Sequence, residues 1–284
     1  MSIQETTAPR AELSAAKRAL IQARIRGRSR AAGIVRRDHG GEVPISSAQE
    51  RLYFLDRLQP GVAAYNTAEA VRLSGGVDQA ALERALGEVL RRHDALRTTF
   101  READGVPVGR ITPFTGFRLP IADLSALGEA EREAEVIRRF DAENAHVFDL
   151  AAGPLFRAAL LRLGADEHVL LVCMHHVVGD GWSTRVFFRE LWALYGAFRE
   201  GRPSPLPELE VQYADYAAWQ REQAGGEAEA RQIRYWRERL AGAPDSLELP
   251  TDRPRPAAPT LRGATVPVHV PVDVLDRLRE IAQA

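Results

Sequence analysis

The spacing of apolar positions predicts alternating helices and strands over most of the chain. Leu82, Leu86 and Val89 recur at helical spacing after Asp78, whose carboxylate can cap that helix. Residues 168–174 are almost wholly apolar, which is typical of a central strand buried on both faces. The same two periods predict further helices at 47–58, 129–144, 182–198, 213–223, 227–240 and 272–284, and further strands at 68–73, 97–101, 106–111, 155–163 and 264–270. This order predicts an α/β protein with a mixed sheet flanked by helices.

Breaks in the pattern divide the chain into three parts. Residues 1–40 form a basic leader, residues 41–248 a compact domain, and residues 249–284 an extended crossing segment followed by a strand and a helix. The last helix stops without a cap or a closing element. We therefore expect a chain that is cut inside a second lobe.

The leader carries nine basic and two acidic residues before position 38, although the formal net charge of the whole chain is -1. Basic arms often bind nucleic acid, but no aromatic residue interleaves with these arginines and no nucleic-acid motif follows. Leu13, Leu20 and Ile21 fall on one helical face. The alternative is an amphipathic helix that docks on its own protein or on a neighbour.

Composition places the chain among soluble globular proteins, with 45% hydrophobic and 27% charged residues. No apolar run is long enough to cross a bilayer, and the first residues do not resemble a signal peptide. The one cysteine, Cys173, excludes an internal disulfide framework. We expect a cytoplasmic protein that binds neither membrane nor nucleic acid.

The segment 174–183 carries the candidate chemistry, because two histidines end a buried strand just before a glycine-containing loop and a helix. Ser183 is a candidate cap for that helix. A metal site is one alternative, but adjacent strand residues point to opposite faces, so His175 and His176 do not easily share an ion. General acid–base catalysis is the other alternative, since histidine titrates near neutral pH.

Four segments in order resemble the motifs of condensation domains of non-ribosomal peptide synthetases, in the chloramphenicol-acetyltransferase-like superfamily. Met174–Ser183 is similar to the HHxxxDG signature of that family. The other three are S-S-A-Q-E-R-L-Y-F-L at 46–55, R-H-D-A-L-R-T-T-F at 92–100 and Y-A-D-Y-A-A-W-Q at 213–220. Tyr53 stands where the family has tryptophan, and Asp94 where it has glutamate. The resemblance covers nearly everything after residue 40 and indicates the N-terminal lobe with the start of a second.

The resemblance implies that an acceptor amine attacks a donor thioester, with both substrates carried on the phosphopantetheine arms of carrier proteins. No cofactor is then bound by this chain, and its partners are carrier proteins and other synthetase domains. By the same resemblance His176 is the base or the orienting acceptor, and His175 points inward and holds the loop. Residues 59–66 look like those of the subtype that takes an L-configured donor. The isolated fragment is expected to be inactive.

The remaining signature residues are interpreted as support. Asp180 is expected to pair with an arginine of the second motif, Arg97 first and Arg92 as the alternative. Gly181, together with Gly179, would keep the loop free of side chains where the acceptor arm approaches. Trp182 is interpreted as a packing residue.

Three rival functions stay open. An acyltransferase of the HxxxD type would use coenzyme A as the donor, and a non-catalytic module would only bind a carrier protein or a partner. An epimerisation domain fits less well, because Trp182 and Ser183 follow the condensation pattern. Cyclising relatives have aspartate at the position of His175.

Overall fold

The computed structural model describes residues 33–38, 41–244, 246–247, 249–254, 266 and 268–283. Within them the helices are α1 (Ser47–Leu58), α2 (Gln79–Arg92), α3 (Glu129–Asn144), α4 (Gly181–Arg199), α5 (Tyr213–Gln223), α6 (Glu227–Arg239) and α7 (Val272–Gln283), with a short 3-10 helix at Asp94–Arg97. The strands are β1 (Glu42–Pro44), β2 (Asn66–Ser74), β3 (Thr98–Ala103), β4 (Val106–Ile111), β5 (Ile121–Asp123), β6 (Phe156–Arg162) and β7 (Glu167–His175).

Two sheets organise the strands. In the larger sheet the order is β2-β7-β6-β5, with β5 parallel to β6 and the other pairs antiparallel. The smaller antiparallel sheet has the order β1-β4-β3. The expected α/β fold with a mixed sheet and flanking helices is confirmed.

Strand β7 is the centre of the core. Eight of its nine residues are buried, so neither face meets solvent, as its apolar sequence predicts. Leu170 and Val172 join the cluster that contains the buried faces of α2 and α4. Val169 and Leu171 join a second cluster that contains Val136 of α3. The strand is therefore packed on both faces immediately before the two histidines at its end.

Local signals place the main helices. Asp78 caps α2 as predicted, because its Oδ1 accepts a hydrogen bond from the backbone N–H of Ala81 at 2.9 Å. Helix α1 begins with a capping box, in which Ser46 and Gln49 each accept the other's backbone N–H. The bounds of α1 and α3 agree with their predicted ranges.

The described residues fall into two compact units that divide between Trp236 and Arg237. The second unit contains α7, which agrees with the helix predicted from residue 272. The strand predicted at 264–270 lies partly outside the described residues, and its described positions are not in a strand. The predicted leader helix also lies outside them. None of the described helices is long and apolar enough to cross a membrane.

Candidate active site

The signature loop is held by the backbone of neighbouring strands. His175 is the last residue of β7 and stands opposite Asn66 of β2. Its N–H donates to the carbonyl of Leu155 at 3.1 Å, and the N–H of His176 donates to the carbonyl of Tyr65 at 2.7 Å. The chain then turns, and α4 begins at Gly181. The two histidine side chains start from fixed backbone and leave the strand in opposite directions.

The His175 side chain points into the protein and is 3% exposed. Its Nδ1 accepts a hydrogen bond from the N–H of Val177 at 3.1 Å, which fixes the loop directly after the strand. The ring lies beside Phe148 and Tyr65, with centroids 6.2 and 6.3 Å away. Burial, together with the charge of His176, lowers the pKa of His175 to about 4. His175 is therefore neutral at physiological pH.

The His176 side chain is exposed, and its Nδ1 lies 2.7 Å from the carbonyl oxygen of Gly179. A carbonyl only accepts hydrogen bonds, so Nδ1 carries the hydrogen in this contact. In the neutral ring Nε2 is then the acceptor. Among the described residues no hydrogen bond engages that atom. The loop thus presents an acceptor nitrogen on an exposed side chain.

Within the described ranges Asp180 does not pair with an arginine, and the prediction of an ion pair with Arg97 or Arg92 is wrong. Asp180 is exposed and caps α4, where its Oδ1 accepts hydrogen bonds from the N–H and the Oγ of Ser183 at 2.8 and 2.7 Å. These hydrogen bonds lower the pKa of Asp180, and the charge of His176 lowers it further. Ser183 is thus a donor to the cap and not the cap itself.

The two arginines bind elsewhere. Arg97 pairs with Asp94 and donates to the carbonyl of Leu90 at 2.8 Å. Arg92 is buried, and its Nε donates to Glu190 of α4 at 3.2 Å. They therefore fix the end of α2 and its packing on α4, and not the signature loop.

The two loop glycines differ in the space around them. A Cβ at Gly179 would lie 2.7 Å from the Sδ of Met174, whereas one at Gly181 would meet nothing within 4 Å. A side chain at Gly179, and not at Gly181, would therefore have to displace the buried Met174. Open space at Gly181 is consistent with the prediction that this part of the loop stays clear for a substrate arm.

His176 opens on a cavity of about 650 Å³. The wall includes Trp182, which is 75% exposed, so its interpretation as a packing residue is wrong. Tyr213 borders the same space, and its hydroxyl lies 3.0 Å from Ser46 Oγ. Its apolar lining residues include Leu52, Val89, Leu96, Val186 and Phe187. The cavity therefore combines apolar surface with the polar residues of the signature loop.

Sequence reasoning missed the role of Gln49. Its side chain is buried, and its Nε2 donates to the carbonyl of Val177 at 3.1 Å while its Oε1 accepts the N–H of Ser46 at 3.0 Å. One amide thus ties α1 to the signature loop. The S-x-x-Q spacing of the capping box could have indicated the local half of this arrangement, but nothing nearby in sequence indicates the contact with Val177.

No group of three histidine, cysteine or carboxylate side chains among the residues that the structure describes could hold a metal ion. Cys173 is buried, and burial raises the pKa of its thiol to about 11. The chemistry that the site offers is therefore that of an exposed imidazole beside a cavity.

Comparison with known proteins agrees with this arrangement. The family model described as "Condensation domain" matches residues 39–284. The chain therefore belongs to the condensation-domain family of non-ribosomal peptide synthetases.

Two curated relatives illustrate the similarity. Chondramide synthase cmdD of Chondromyces crocatus is 45% identical over 246 residues, which are 86% of this chain and 6% of that protein. Phosphinothricin tripeptide synthetase PhsC of Streptomyces viridochromogenes is 41% identical over 276 residues, which are 96% of this chain and 25% of that protein. The chain thus spans a small part of each of these synthetases.

Solved structures share the fold. The X-domain from teicoplanin biosynthesis superposes with a TM-score of 0.71 at 34% identity, over 81% of this chain and 50% of that one. The first condensation domain of the CDA synthetase gives a TM-score of 0.65 at 25% identity, over 73% of this chain and 52% of that one. The chain corresponds to about half of each solved domain.

Proposed function

We propose that the chain contributes the histidine-bearing half of a site that forms an amide bond between two thioester-linked substrates on phosphopantetheine arms. The observation that carries the proposal is the orientation of His176. Its Nδ1 is engaged by the Gly179 carbonyl at 2.7 Å, which leaves Nε2 as the acceptor beside the cavity. An attacking amine must lose a proton as the new bond forms, and an acceptor at that point can orient the amine or take the proton.

Amide formation from a thioester requires the two substrates to be positioned more than it requires the acyl group to be activated. A thioester is already an activated acyl group, so the amine nitrogen needs to be neutral and directed at the carbonyl carbon. Fixing two reactants in this geometry can supply a large part of the acceleration. The backbone hydrogen bonds of His175 and His176, with the Gln49 amide, hold the loop that does so. A well-placed base adds about 10²–10⁴-fold.

The partners follow from this proposal. Both substrates would arrive on carrier proteins, and the chain itself would bind no cofactor. The exposed Trp182 and the open space at Gly181 lie where an extended arm can approach His176. We further propose that residues 1–284 alone form little product, because the cavity mouth leaves His176 exposed to water.

The test is a condensation assay with loaded donor and acceptor carrier proteins. It compares residues 1–284 with a fusion that adds the unmatched half of the CDA synthetase condensation domain. We expect amide product from the fusion and a loss of about 10²-fold or more with His176→Ala at an unchanged melting temperature. Product formed equally fast by the His176→Ala fusion would refute the proposed role. A donor supplied as acyl-coenzyme A tests the HxxxD acyltransferase alternative in the same assay.

A non-catalytic interaction module is the second candidate, and one solved relative favours it. The X-domain from teicoplanin biosynthesis has a structure in complex with OxyB, and it superposes on this chain with a TM-score of 0.69 at 36% identity. A binding role predicts that carrier or partner proteins are retained equally by the parent and by His176→Ala, with no product from either. Turnover that depends on His176 would exclude this alternative as the sole function.

A further inference from the structure

A second imidazole borders the cavity, on a segment far from the signature loop in sequence. His93 follows α2 directly, and its backbone N–H donates to the carbonyl of Val89 at 3.1 Å. Its ring lines the same cavity as His176, and its Nε2 lies 2.8 Å from Oε2 of Glu190 on α4. The second motif thus places a titratable group on the cavity wall that the proposed reaction does not use.

The state of Glu190 decides which nitrogen of His93 carries the hydrogen. The carboxylate is 7% exposed and also accepts a hydrogen bond from Arg92 Nε at 3.2 Å. Burial alone would raise the pKa of Glu190, but the hydrogen bonds from His93 and Arg92 and the charge of Arg92 outweigh burial, and the pKa lies below its ordinary value. An ionised carboxylate only accepts hydrogen bonds, so the Nε2 of His93 is the donor. The neutral ring then has its lone pair on Nδ1.

The Nδ1 of His93 has no hydrogen-bond partner in the described part of the chain. The His93 side chain is 24% exposed, and the residue lines the cavity. The cavity wall on either side of it is apolar, with Val89 and Leu96 near in sequence and Phe187 one turn before Glu190 on α4. The cavity wall thus combines apolar surface with a hydrogen-bond acceptor, the Nδ1 of His93, whose tautomer is fixed by Glu190.

We propose that His93, oriented by Glu190, determines specificity by accepting a hydrogen bond from the side chain of a bound acyl group. The group that fits is an apolar body that ends in a hydrogen-bond donor, with a phenol as the clearest case. This inference rests on the proposed function in one respect, namely that the cavity takes an acyl group. His93 is here a binding residue, and the reacting atoms stay with His176.

The test measures binding and not turnover, so its result is independent of whether the chain is active. L-tyrosine and L-phenylalanine amides of aminopantetheine, in which an amine replaces the thiol of pantetheine, are non-hydrolysable probes that differ by one hydroxyl. Their dissociation constants for residues 1–284 can be measured by isothermal titration calorimetry. We expect the tyrosine probe to bind about tenfold more tightly, as one hydrogen bond to a partly buried acceptor allows. Equal affinities, or no binding of either probe, would overturn the inference.

Two variants separate specificity from structural support. His93→Gln retains an amide donor that can reach Glu190 but removes the acceptor at the position of Nδ1, so the tenfold ratio should collapse while the melting temperature holds. His93→Asn retains an acceptor near the position of Nδ1 but loses the Glu190 contact, so part of the ratio should persist in a less stable protein. The reverse outcome would refute the proposal.

Nitrogen NMR of the parent at pH 8 reports the tautomer of His93 before any ligand is added, and we expect the hydrogen on Nε2. The Nδ1 resonance should then shift when the tyrosine probe is added and stay unchanged when the phenylalanine probe is added. An Nδ1–H tautomer, or an imidazolium at that pH, would also overturn the inference. A failed condensation assay with the tenfold ratio intact would refute the proposed reaction but not this site.

Discussion

Replacing Asp180 distinguishes a helix cap from a buried ion pair, because the two arrangements differ in energy. Asp180 is exposed, and Asp180→Ala removes two hydrogen bonds from Ser183 at the start of α4. Loss of an N-cap side chain costs about 0.5–2 kcal/mol, whereas leaving a buried arginine unpaired costs about 3–5 kcal/mol. We expect a decrease of about 1 kcal/mol in the free energy of unfolding, or about 2–4 °C in melting temperature.

The chain contains a matched control for this change. Asp78 is also exposed, caps α2 through a 2.9 Å hydrogen bond from the Ala81 N–H, and does not border the cavity. Urea unfolding of Asp78→Ala and Asp180→Ala should give similar losses. Asp180→Asn keeps an acceptor and removes the charge, so its loss should be smaller. A loss of about 3 kcal/mol or more for Asp180→Ala, with about 1 kcal/mol for Asp78→Ala, would refute the assignment of Asp180 as a cap.

Three further predictions concern the residues around the loop. Gly179→Ala should lower the free energy of unfolding in urea by about 1–3 kcal/mol, because the new Cβ would lie against Met174. Gly181→Ala should cause no measurable loss, and equal losses for the two variants would contradict this reasoning. The pKa of His175 is lowered to about 4 in the folded protein, so as the pH falls the unfolded chain binds this proton before the folded one does. The free energy of unfolding should therefore decrease between about pH 6.5 and pH 4, by up to about 1.4 kcal/mol per pH unit. A pH profile unchanged in His175→Asn would refute this contribution. Arg92→Ala removes one partner of the buried Glu190 and should cost about 3–5 kcal/mol in urea unfolding. Loss of the half-exposed neighbour Arg91 should cost under about 1 kcal/mol, and similar values for both would be inconsistent with the buried pair.

The sequence was most informative where structure is local. The period of the apolar residues predicts α1 and α3 with their observed bounds, and Asp78 as a cap is visible from its position before the apolar stripe. Strands β1 and β5 have three residues each, which is too short for a periodic signal. Their positions depend on pairing with β4 and β6, which a local pattern does not contain.

The candidate site shows the same division. The strand, the turn and the helix around His176 follow from the segment itself. The predicted partner of Asp180 is wrong because an aspartate three residues before a serine can either cap a helix or pair with a distant arginine. The sequence pattern also places the start of α4 at residue 182, whereas the helix starts at Gly181 and makes Asp180 its N-cap. The pairing of Arg92 with Glu190 joins residues 98 positions apart, so only the packing of α2 on α4 reveals it.

The capping role of Asp180 also determines the charge beside His176. A helix N-terminus carries partial positive charge, and α4 begins within five residues of the histidine. Hydrogen bonds from Ser183 lower the pKa of the Asp180 carboxyl, and the charge of His176 lowers it further, so the carboxylate at this helix end is ionised. An ion pair with an arginine would have cancelled the carboxylate charge. The cap that Asp180 forms with Ser183 leaves that charge in place, so the arrangement that stabilises α4 also keeps a negative group beside the signature loop.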